Sequence, residues 1–246
     1  MKKNISLSAN NKNFNAFFSA PDGIEKHPSI ILVYEIWGMT DYIKGVAERL
    51  ANAGFNVVVP DFLGDTGVLE KISPEIFKEM KDPETRHAAQ AKMRDALQPT
   101  YTPEFAQATH AKLSACFEHL MSLESSNGSA GILGFCFGGT WSFFFATKEP
   151  RLKAAVIFYG QPPKQEDIAA IRSPILAFYG EKDENLMKSL PVLKDAMLEE
   201  GKDFSSKVYS DAGHAFFNDT NKDVYNADAA HDAWNLSLEF LKENLE

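Results

Sequence analysis

Short apolar runs alternate with longer amphipathic segments along most of the chain, and this alternation constrains the fold more than any other feature. Short runs that are apolar on both faces are typical of parallel strands, and amphipathic segments between them are typical of the connecting helices. The predicted strands are residues 29–34, 55–59, 130–134, 153–159, 175–179 and 204–209. The predicted helices are residues 42–53, 103–123, 139–147, 186–200 and 224–241. The sequence therefore predicts an α/β fold.

Two further segments precede this pattern, near residues 5–8 and 13–19, and their alternation of polar and apolar residues predicts antiparallel edge strands. Together, the segments predict a central, mostly parallel sheet of about eight strands flanked by helices. No interdomain linker divides the chain, so we expect a single domain over residues 1–246.

Residues 63–102 depart from this alternation. The stretch carries two glycines and three prolines, with helical pieces near residues 74–80 and 84–97. It follows a predicted strand, and loops at the carboxyl ends of parallel strands line the ligand sites of open α/β sheets. We therefore expect a helical excursion over one edge of the sheet that forms a wall or lid of a pocket.

The charge balance and the cysteine content limit the partners of the chain. It has 246 residues, with 25 Lys and Arg against 34 Asp and Glu, and a formal net charge of −9. Because nucleic acids and anionic membranes are bound by clustered cations, we expect a small-molecule partner instead. Two cysteines cannot form a disulfide framework, no signal peptide is recognisable and every apolar run is too short to cross a bilayer. These features predict a cytoplasmic protein; the oligomeric state is left open, with a monomer as the expectation.

The segment Gly134-Phe-Cys-Phe-Gly138 carries the strongest chemical signal. A predicted buried strand leads into it, a predicted helix follows it, and the flanking glycines leave room for a strained central residue. This pattern is typical of a nucleophile elbow, with Cys136 where serine is usual. The new helix would direct backbone N–H groups and the positive end of its dipole at the thiol, which favours a thiolate. The alternative is that Cys136 is a buried core residue.

A thiol nucleophile in an elbow needs a histidine base later in the chain. Six histidines are present, and His214 and His231 are the two that fit this order. His214 lies in a short loop after the last predicted strand, where loops reach over the carboxyl edge of the sheet. His231 lies within the last predicted helix, at a position that faces solvent. His214 is therefore the predicted base.

The acid of a catalytic triad is expected after an intervening strand, between the nucleophile and the histidine. Asp183 follows the strand predicted at residues 175–179 and a break at Gly180. Its carboxylate would hold the imidazole in the correct tautomer. Two other acids are candidates: Glu181 lies close to the strand end, and Asp211 is more simply explained as a turn residue. A surface ion pair is the alternative role of Asp183.

Glu35 is a carboxylate at the end of an apolar strand, residues 29–34, and it is followed by Ile36 and Trp37. An isolated buried carboxylate is costly, so such a residue is either paired or functional. An N–H group from the loop after this strand is expected to complete an oxyanion hole, and Ile36 is the natural donor.

These motifs together resemble the dienelactone hydrolase (carboxymethylenebutenolidase) family of α/β-hydrolases. The motifs that carry the resemblance are Glu35-Ile-Trp-Gly38, Val59-Pro-Asp61, Gly134-Phe-Cys-Phe-Gly-Gly139, Tyr179-Gly-Glu-Lys-Asp183 and Gly213-His-Ala-Phe216. The resemblance implies the α/β-hydrolase fold, and it implies a catalytic triad made by Cys136, Asp183 and His214.

The resemblance also implies roles for three residues around the thiol. The oxyanion donors would be the backbone N–H groups of Ile36 and Phe137, and the auxiliary carboxylate would be Glu35. In that family the auxiliary carboxylate interacts with the thiol of the resting enzyme and takes its proton when substrate arrives. Such control has a physical rationale, because a permanently ionised thiol is prone to oxidation.

The substrate site departs from the family pattern. Dienelactone hydrolases clamp the carboxylate of the substrate with arginines, one of them a helical turn after the catalytic histidine, and that position is Asn218 here. Arg86 and Arg94, in the excursion, are the arginines whose positions fit the other half of the clamp, with a solvated helix face as the alternative. Trp37 and Tyr159, at strand ends, are expected pocket walls or core residues.

The sequence thus predicts a hydrolase that cleaves an ester or enol-lactone bond through an acyl-enzyme on Cys136, with no metal or organic cofactor implied. Two alternatives stay open. The first is a general carboxylesterase or thioesterase on the same scaffold, and the second is a non-catalytic α/β-hydrolase-like binding protein in which Cys136 is inert. Cys116 lies on the apolar face of the helix predicted at residues 103–123 and is expected to pack in the core.

Overall fold

The computed structural model describes residues 1–72, 74–82 and 84–246, without the side chains of residues 74, 77, 80, 81 and 86. The described residues form eight strands. These strands are β1 (Lys2–Ala9), β2 (Lys12–Ser19), β3 (His27–Val33), β4 (Asn56–Pro60), β5 (Ser126–Phe135), β6 (Ala154–Phe158), β7 (Ile175–Gly180) and β8 (Phe204–Tyr209). All eight lie in one sheet, in the order β1-β2-β4-β3-β5-β6-β7-β8.

The sheet is antiparallel at one side and parallel elsewhere. β2 pairs antiparallel with β1 and with β4, whereas the pairs formed among β3 to β8 are parallel. The predicted α/β fold with a mostly parallel sheet of about eight strands is therefore confirmed. β6 is buried along its whole length, because helices cover both faces of a parallel sheet.

Helices connect and cover these strands. The α-helices of the described residues are α1 (Asp41–Asn52), α2 (Pro74–Lys81), α3 (Arg86–Leu97), α4 (Pro103–Ser122), α5 (Phe137–Ala146), α6 (Gln165–Ile168), α7 (Glu184–Glu199) and α8 (Ala227–Leu245). A 3₁₀ turn spans Gln98–Tyr101. The excursion predicted for residues 63–102 follows β4 and contains α2, α3 and this turn. Pro83, one of its prolines, lies outside the described residues.

Helices α5 and α8 differ from their predicted bounds at their first residues, and α8 also ends four residues later than predicted, at Leu245. α5 begins at Phe137 instead of residue 139, because the glycines at 138 and 139 form its first turn. α8 begins at Ala227 instead of residue 224, because the side chain of Asn226 accepts a hydrogen bond from the N–H of Ala229 and caps the helix. α6 was not predicted, since its four residues are too short for a periodic pattern.

An aromatic cluster lies beside the ends of the central strands. Phe135 of β5 and Phe158 of β6 are fully buried, and their ring centroids are 4.6 Å apart. Phe217, from the loop after β8, stacks on Phe135 at 5.0 Å. This packing fixes the loop that carries His214 against the strands that carry Cys136 and Tyr159. Among the described residues, no helix combines the length and the apolar character that crossing a bilayer requires.

Candidate active site

The candidate site lies where three neighbouring strands of the sheet end. β5 lies between β3 and β6, and its register places Gly134 beside Val33 and Phe135 beside Phe158. Because parallel strands end at the same edge of a sheet, the residues that follow them are brought together. The residues brought together are Glu35, Cys136 and Tyr159.

Cys136 occupies a sharp turn between β5 and α5. Its backbone angles, φ 54° and ψ −113°, lie outside the main regions that residues with a side chain adopt, so the turn is strained. The N–H of Cys136 donates to the carbonyl oxygen of Phe158 at 2.9 Å, which ties the turn to β6. Cys136 is a partly exposed residue and forms no disulfide. A strained, accessible residue between a buried strand and a helix is the geometry of a nucleophile elbow.

Two glycines allow α5 to approach the sheet closely. A Cβ atom on Gly134 would overlap the carbonyl group of Gly138. A Cβ atom on Gly138 would overlap the carbonyl group of Val33 and lie 2.6 Å from the carbonyl oxygen of Tyr34. Since both obstacles are backbone atoms, they cannot rotate away as a side chain could. The elbow therefore requires glycine at both positions.

We expect Gly138→Ala to lower the free energy of unfolding by at least about 3 kcal/mol, because the added methyl group overlaps the backbone of β3. Gly45→Ala is the matched control. Gly45 lies in α1 with nothing within 4 Å of a Cβ atom, so alanine there should be neutral or stabilising by up to about 1 kcal/mol. Urea unfolding followed by circular dichroism measures both variants. Equal stability of the two would contradict the close approach.

Asp183 and His214 form a close pair beside the elbow. The Oδ2 atom of Asp183 lies 2.5 Å from Nδ1 of His214. The Oδ1 atom of the same carboxylate accepts the N–H of Leu186 at 3.4 Å and caps α7. Because α7 begins directly after Asp183, the helix fixes this carboxylate in place, and the carboxylate in turn fixes the orientation of the imidazole.

Cys136 acts on the imidazole of the same pair. His214 is hydrogen-bonded to Asp183, and both Asp183 and Cys136 are among the groups that raise the pKa of His214. Burial lowers the pKa of His214, but the negative charge of Cys136 and the hydrogen bond to Asp183 outweigh it, and the pKa lies well above its usual value. The arrangement Cys136–His214–Asp183 therefore favours an imidazolium next to the sulfur.

The other candidates for the acid and for the histidine base lie away from Cys136. Asp211 is exposed and pairs with Lys182 at 3.2 Å, and Glu181 is exposed beyond the end of β7. His231 is exposed on α8, where its Nε2 contacts the side chain of Asn235 at 3.1 Å. Of these candidates, Asp183 and His214 are the pair that the structure brings together with Cys136.

Glu35 is buried at the end of β3, with only 4% of its surface exposed. Its Oε1 accepts a hydrogen bond from the hydroxyl of Tyr159 at 3.1 Å, and its Oε2 accepts one from Nδ2 of Asn218 at 2.6 Å. Burial raises the pKa of Glu35, while these two hydrogen bonds and the charge of His214 act in the opposite direction. The carboxylate thus has two partners, and both differ from the thiol that the family resemblance implies.

Tyr159 links three parts of the site. It is fully buried, and its backbone φ of 41° is strained for a residue with a side chain. Its hydroxyl holds Glu35, and the centroid of its ring lies 5.1 Å from that of His214. Burial, followed by the charge of Glu35, raises the pKa of Tyr159 well above its usual value, so the hydroxyl keeps its proton and acts as the donor. No pattern in the sequence indicated this contact.

The two predicted oxyanion donors, the backbone N–H groups of Ile36 and Phe137, closely follow the ends of strands. Phe137 is the first residue of α5, and the first N–H groups of a helix have no partner within the helix. After β3, a turn is closed by the N–H of Gly38, which donates to the carbonyl oxygen of Glu35 at 3.1 Å. That bond does not use the N–H of Ile36. Both predicted oxyanion donors therefore follow strands that end at the same edge of the sheet.

The predicted substrate-pocket residues have different surroundings. Asn218 is buried and bonded to Glu35 and Thr220, which leaves its amide engaged within the protein. Trp37 is partly buried against the core, and Arg94 is exposed on α3. The side chain of Arg86 lies outside the described part of the structure. Contacts of these residues with substrate stay predictions.

Cys116 has the packing environment that the sequence predicts. It is fully buried on α4, and burial raises the pKa of its thiol. Within residues 1–72, 74–82 and 84–246, no group of three His, Cys, Asp or Glu side chains could hold a metal ion.

Two surface clefts, of about 390 and 380 Å³, lie along α4 and share Asn10 of the β1–β2 turn and Ala111. None of the residues around Cys136 described above lines either cleft. The chemistry at the ends of β3, β5 and β6 therefore lies apart from them.

The strand order, the elbow after β5 and the pair formed by Asp183 and His214 define an α/β-hydrolase. The sequence model of the dienelactone hydrolase family matches residues 14–245. The chain belongs to the dienelactone hydrolase family, and it is a hydrolase.

Individual relatives agree with this family. A protein of Saccharolobus solfataricus named "Putative carboxymethylenebutenolidase" is 30% identical over 258 residues, which cover 98% of each chain. "Protein usf" of Aquifex pyrophilus is 33% identical over 234 residues, or 89% of each chain. The crystal structure titled "Putative Dienelactone Hydrolase" from Klebsiella pneumoniae has a TM-score of 0.76 and 23% identity, and the match covers 99% of this chain and 98% of that one. The structural likeness supports the fold.

Proposed function

We propose that the protein hydrolyses a carboxylic ester or enol-lactone of a small molecule, with Cys136 as nucleophile and an acyl-enzyme as intermediate. The observation that carries this proposal is the contact of the His214 imidazole with the carboxylate of Asp183, together with the effect of Cys136, which raises the pKa of the same imidazole. The strained elbow supports it, because it presents a partly exposed cysteine at the start of a helix.

In the acylation step, His214 holds the proton of the Cys136 thiol on Nε2, as its raised pKa favours, and the Sγ thiolate attacks the carbonyl carbon of the substrate. Asp183 accepts the hydrogen bond from Nδ1–H, which leaves Nε2 facing the sulfur and stabilises the imidazolium. The N–H groups of Ile36 and Phe137 would donate to the oxyanion as it forms. Collapse of the tetrahedral intermediate transfers the proton from His214 to the departing alkoxide or enolate.

In the deacylation step, His214 accepts a proton from water, and the hydroxide attacks the thioester carbonyl. The carboxylic acid leaves, and the thiolate and the imidazolium of the starting state are restored. For a lactone, the acid and the alcohol or enol are parts of one ring-opened product.

The names of the relatives, which include carboxymethylenebutenolidase, support a lactone substrate. The environment of Asn218 favours a second candidate, a general carboxylesterase or thioesterase. Asn218 carries no positive charge, and its amide is bonded to Glu35 and Thr220, so this position lacks the cation that would pair with the carboxylate of an anionic substrate. The comparison of kcat/KM for a muconolactone-type dienelactone with kcat/KM for p-nitrophenyl acetate tests these candidates. A dienelactone preference supports the first, and an ester preference supports the second; turnover of neither substrate contradicts both.

A non-catalytic binding protein is distinguished by the reactivity of the thiol. On the proposed mechanism, iodoacetamide alkylates Cys136 in the folded protein much faster than the buried Cys116, and a substrate analogue slows that reaction. Peptide mass spectrometry after timed alkylation measures both sites. An unmodified Cys136, together with no turnover of any ester, would point to the binding protein.

The remaining features of the proposal follow from composition and topology. We treat residues 1–246 as a single domain, because all eight strands of the described residues lie in one sheet. A reducing, cytoplasmic compartment is consistent with two free cysteines. A monomer acting on a small molecule, without nucleic acid or membrane, stays the working proposal.

A further inference from the structure

His214 lies in a long irregular segment, residues 210–226, between the end of β8 and the start of α8. The residue after it, Ala215, has a backbone φ of 62°, which is strained for a residue with a side chain. The imidazole is also partly open to solvent, with 44% of the His214 side chain exposed. Its place beside Asp183 therefore depends on the contacts that hold this segment against the rest of the protein.

Backbone hydrogen bonds hold the segment on both sides of His214. Before it, the carbonyl oxygen of Ala212 accepts the N–H of Lys182, beyond the end of β7, at 2.9 Å. After it, the carbonyl oxygen of Phe216 accepts the N–H of Asn226 at 2.9 Å, but both of these residues belong to the segment itself. The half of the segment that follows His214 therefore depends on side-chain contacts with other elements.

Helix α1 makes such contacts at Phe217. The hydroxyl of Tyr42 donates to the carbonyl oxygen of Phe217 at 3.3 Å. Burial raises the pKa of Tyr42, so the hydroxyl keeps its proton and can donate. Arg49 follows Tyr42 by about two helical turns and so lies on the same face of α1. Its guanidinium carbon lies 5.7 Å from the centroid of the Phe217 ring and 4.1 Å from that of Trp234 on α8. α1 thus contacts both the backbone and the ring of Phe217.

α1 is a firm base for these contacts. Its apolar face, which includes Val46 and Leu50, is buried, and the helix packs against β2 and β4. It begins at Asp41, shortly after the loop that contains Ile36, the predicted oxyanion donor. The same helix therefore links the strand end where the oxyanion is expected to the segment that carries the imidazole.

We propose that Tyr42 and Arg49 are positioning residues that hold the segment after His214 at Phe217 and so keep the imidazole against the carboxylate of Asp183. Tyr42 fixes the backbone, and Arg49 covers the ring. The inference rests on the proposed function, because the placement of His214 affects turnover only if the imidazole is the base. A misplacement of a catalytic group by about 1 Å slows catalysis strongly.

Tyr42→Phe removes the hydroxyl and keeps the ring, so the packing of the side chain is preserved. We expect kcat for p-nitrophenyl acetate to fall by about fivefold, as for the loss of one neutral hydrogen bond, with KM within about twofold of the wild type. KM changes little because His214 acts in both acylation and deacylation, and both steps slow together. Steady-state kinetics measures the two constants, and thermal unfolding verifies that the variant folds.

Arg49→Ala and Lys44→Ala form a matched pair on the same helix. Arg49 is exposed, so its loss should not prevent folding. Lys44 also lies over an aromatic ring, with Nζ 5.9 Å from the centroid of Phe17, but that ring belongs to β2 and not to the segment of residues 210–226. Each variant removes one long cationic side chain from an aromatic face. We expect kcat to fall by about threefold in Arg49→Ala and to stay unchanged in Lys44→Ala.

An NMR titration of His214 detects the placement of the imidazole without turnover, with the signal assigned by comparison with His214→Asn. The hydrogen bond to Asp183, at 2.5 Å, is one of the causes that raise the pKa of His214. A loosened segment weakens this bond, so the pKa of His214 should fall by about half a pH unit in Tyr42→Phe and in Arg49→Ala. Lys44→Ala should keep the wild-type value. A purely structural role of Tyr42 and Arg49 would lower the melting temperature and leave this pKa unchanged.

Two results would overturn the proposal. One is an unchanged pKa of His214 in Tyr42→Phe or in Arg49→Ala. The other is a change in Lys44→Ala as large as that in Arg49→Ala, in kcat or in this pKa. A wild-type protein that hydrolyses no ester would refute the proposed function alone, because the titration still shows whether Tyr42 and Arg49 position the imidazole.

Discussion

Cys136→Ala is expected to lower kcat/KM for ester hydrolysis by at least about 10³-fold, because no other group can form the acyl-enzyme at the elbow. The variant should fold normally, since alanine removes a single sulfur from a partly exposed residue and leaves the turn intact. Stopped-flow hydrolysis of p-nitrophenyl acetate measures the loss. Undiminished turnover in this variant would contradict the assignment of the nucleophile.

The second cysteine provides the control for Cys136→Ala. Cys116 is fully buried on α4. Cys116→Ala should therefore lower the free energy of unfolding by about 1 kcal/mol while leaving kcat/KM unchanged. A comparable loss of activity in both variants would indicate an effect on folding instead of chemistry.

Cys136→Ser is expected to give a folded enzyme with weak but measurable activity. A hydroxyl is far less acidic than a thiol, so it depends more heavily on proton removal by His214. Serine and cysteine have similar shapes, and the strained backbone of the elbow accommodates either. We therefore expect Cys136→Ser to be less active than the wild type and more active than Cys136→Ala.

Asp183→Asn is expected to lower kcat by about 10³- to 10⁴-fold, because the amide holds the imidazole in the wrong tautomer and no longer stabilises its positive charge. The loss of this carboxylate also lowers the pKa of His214, since Asp183 is one of the groups that raise it. An NMR titration and steady-state kinetics measure the two effects. A variant that keeps both kcat and the pKa of His214 would contradict the triad.

Two comparisons separate the catalytic effect of Asp183→Asn from a structural one. Asp183 also caps α7, and asparagine is an equally good N-cap, so the free energy of unfolding should stay close to that of the wild type. Asp211→Asn changes an exposed carboxylate that pairs with Lys182 and should leave kcat unchanged.

The central sheet could be predicted from the sequence because its signal is local. Parallel strands covered on both faces must be apolar on both faces, and β3, β5 and β6 therefore appear as short apolar runs. The elbow was predictable for a related reason, since the glycines at 134 and 138 are needed wherever a helix starts against a strand. The exact start of α5 could not be predicted, because the glycines at 138 and 139 suggest a turn and not the first turn of a helix.

The contacts of the site were predictable only in part. The chain order of Cys136, Asp183 and His214 follows from the requirements of the elbow. The bonds from Tyr159 and Asn218 to Glu35 join residues 124 and 183 positions apart, and nothing in the local pattern marks such partners. Asn218 was expected to face substrate because the family resemblance placed it at a substrate-binding position. The orientation of the Asn218 amide depends on Thr220, two residues later in the chain. That dependence is visible only in the structure.

The most direct test of the account is to identify the residue that carries the acyl group during turnover. Wild-type protein mixed with p-nitrophenyl acetate and quenched in acid within the first turnover is digested, and its peptides are analysed by mass spectrometry. The account predicts one added acetyl group on the peptide that contains Cys136, and none on that peptide in Cys136→Ala. An acetyl group on another residue that is lost as fast as the enzyme turns over, with Cys136 unmodified, would contradict it.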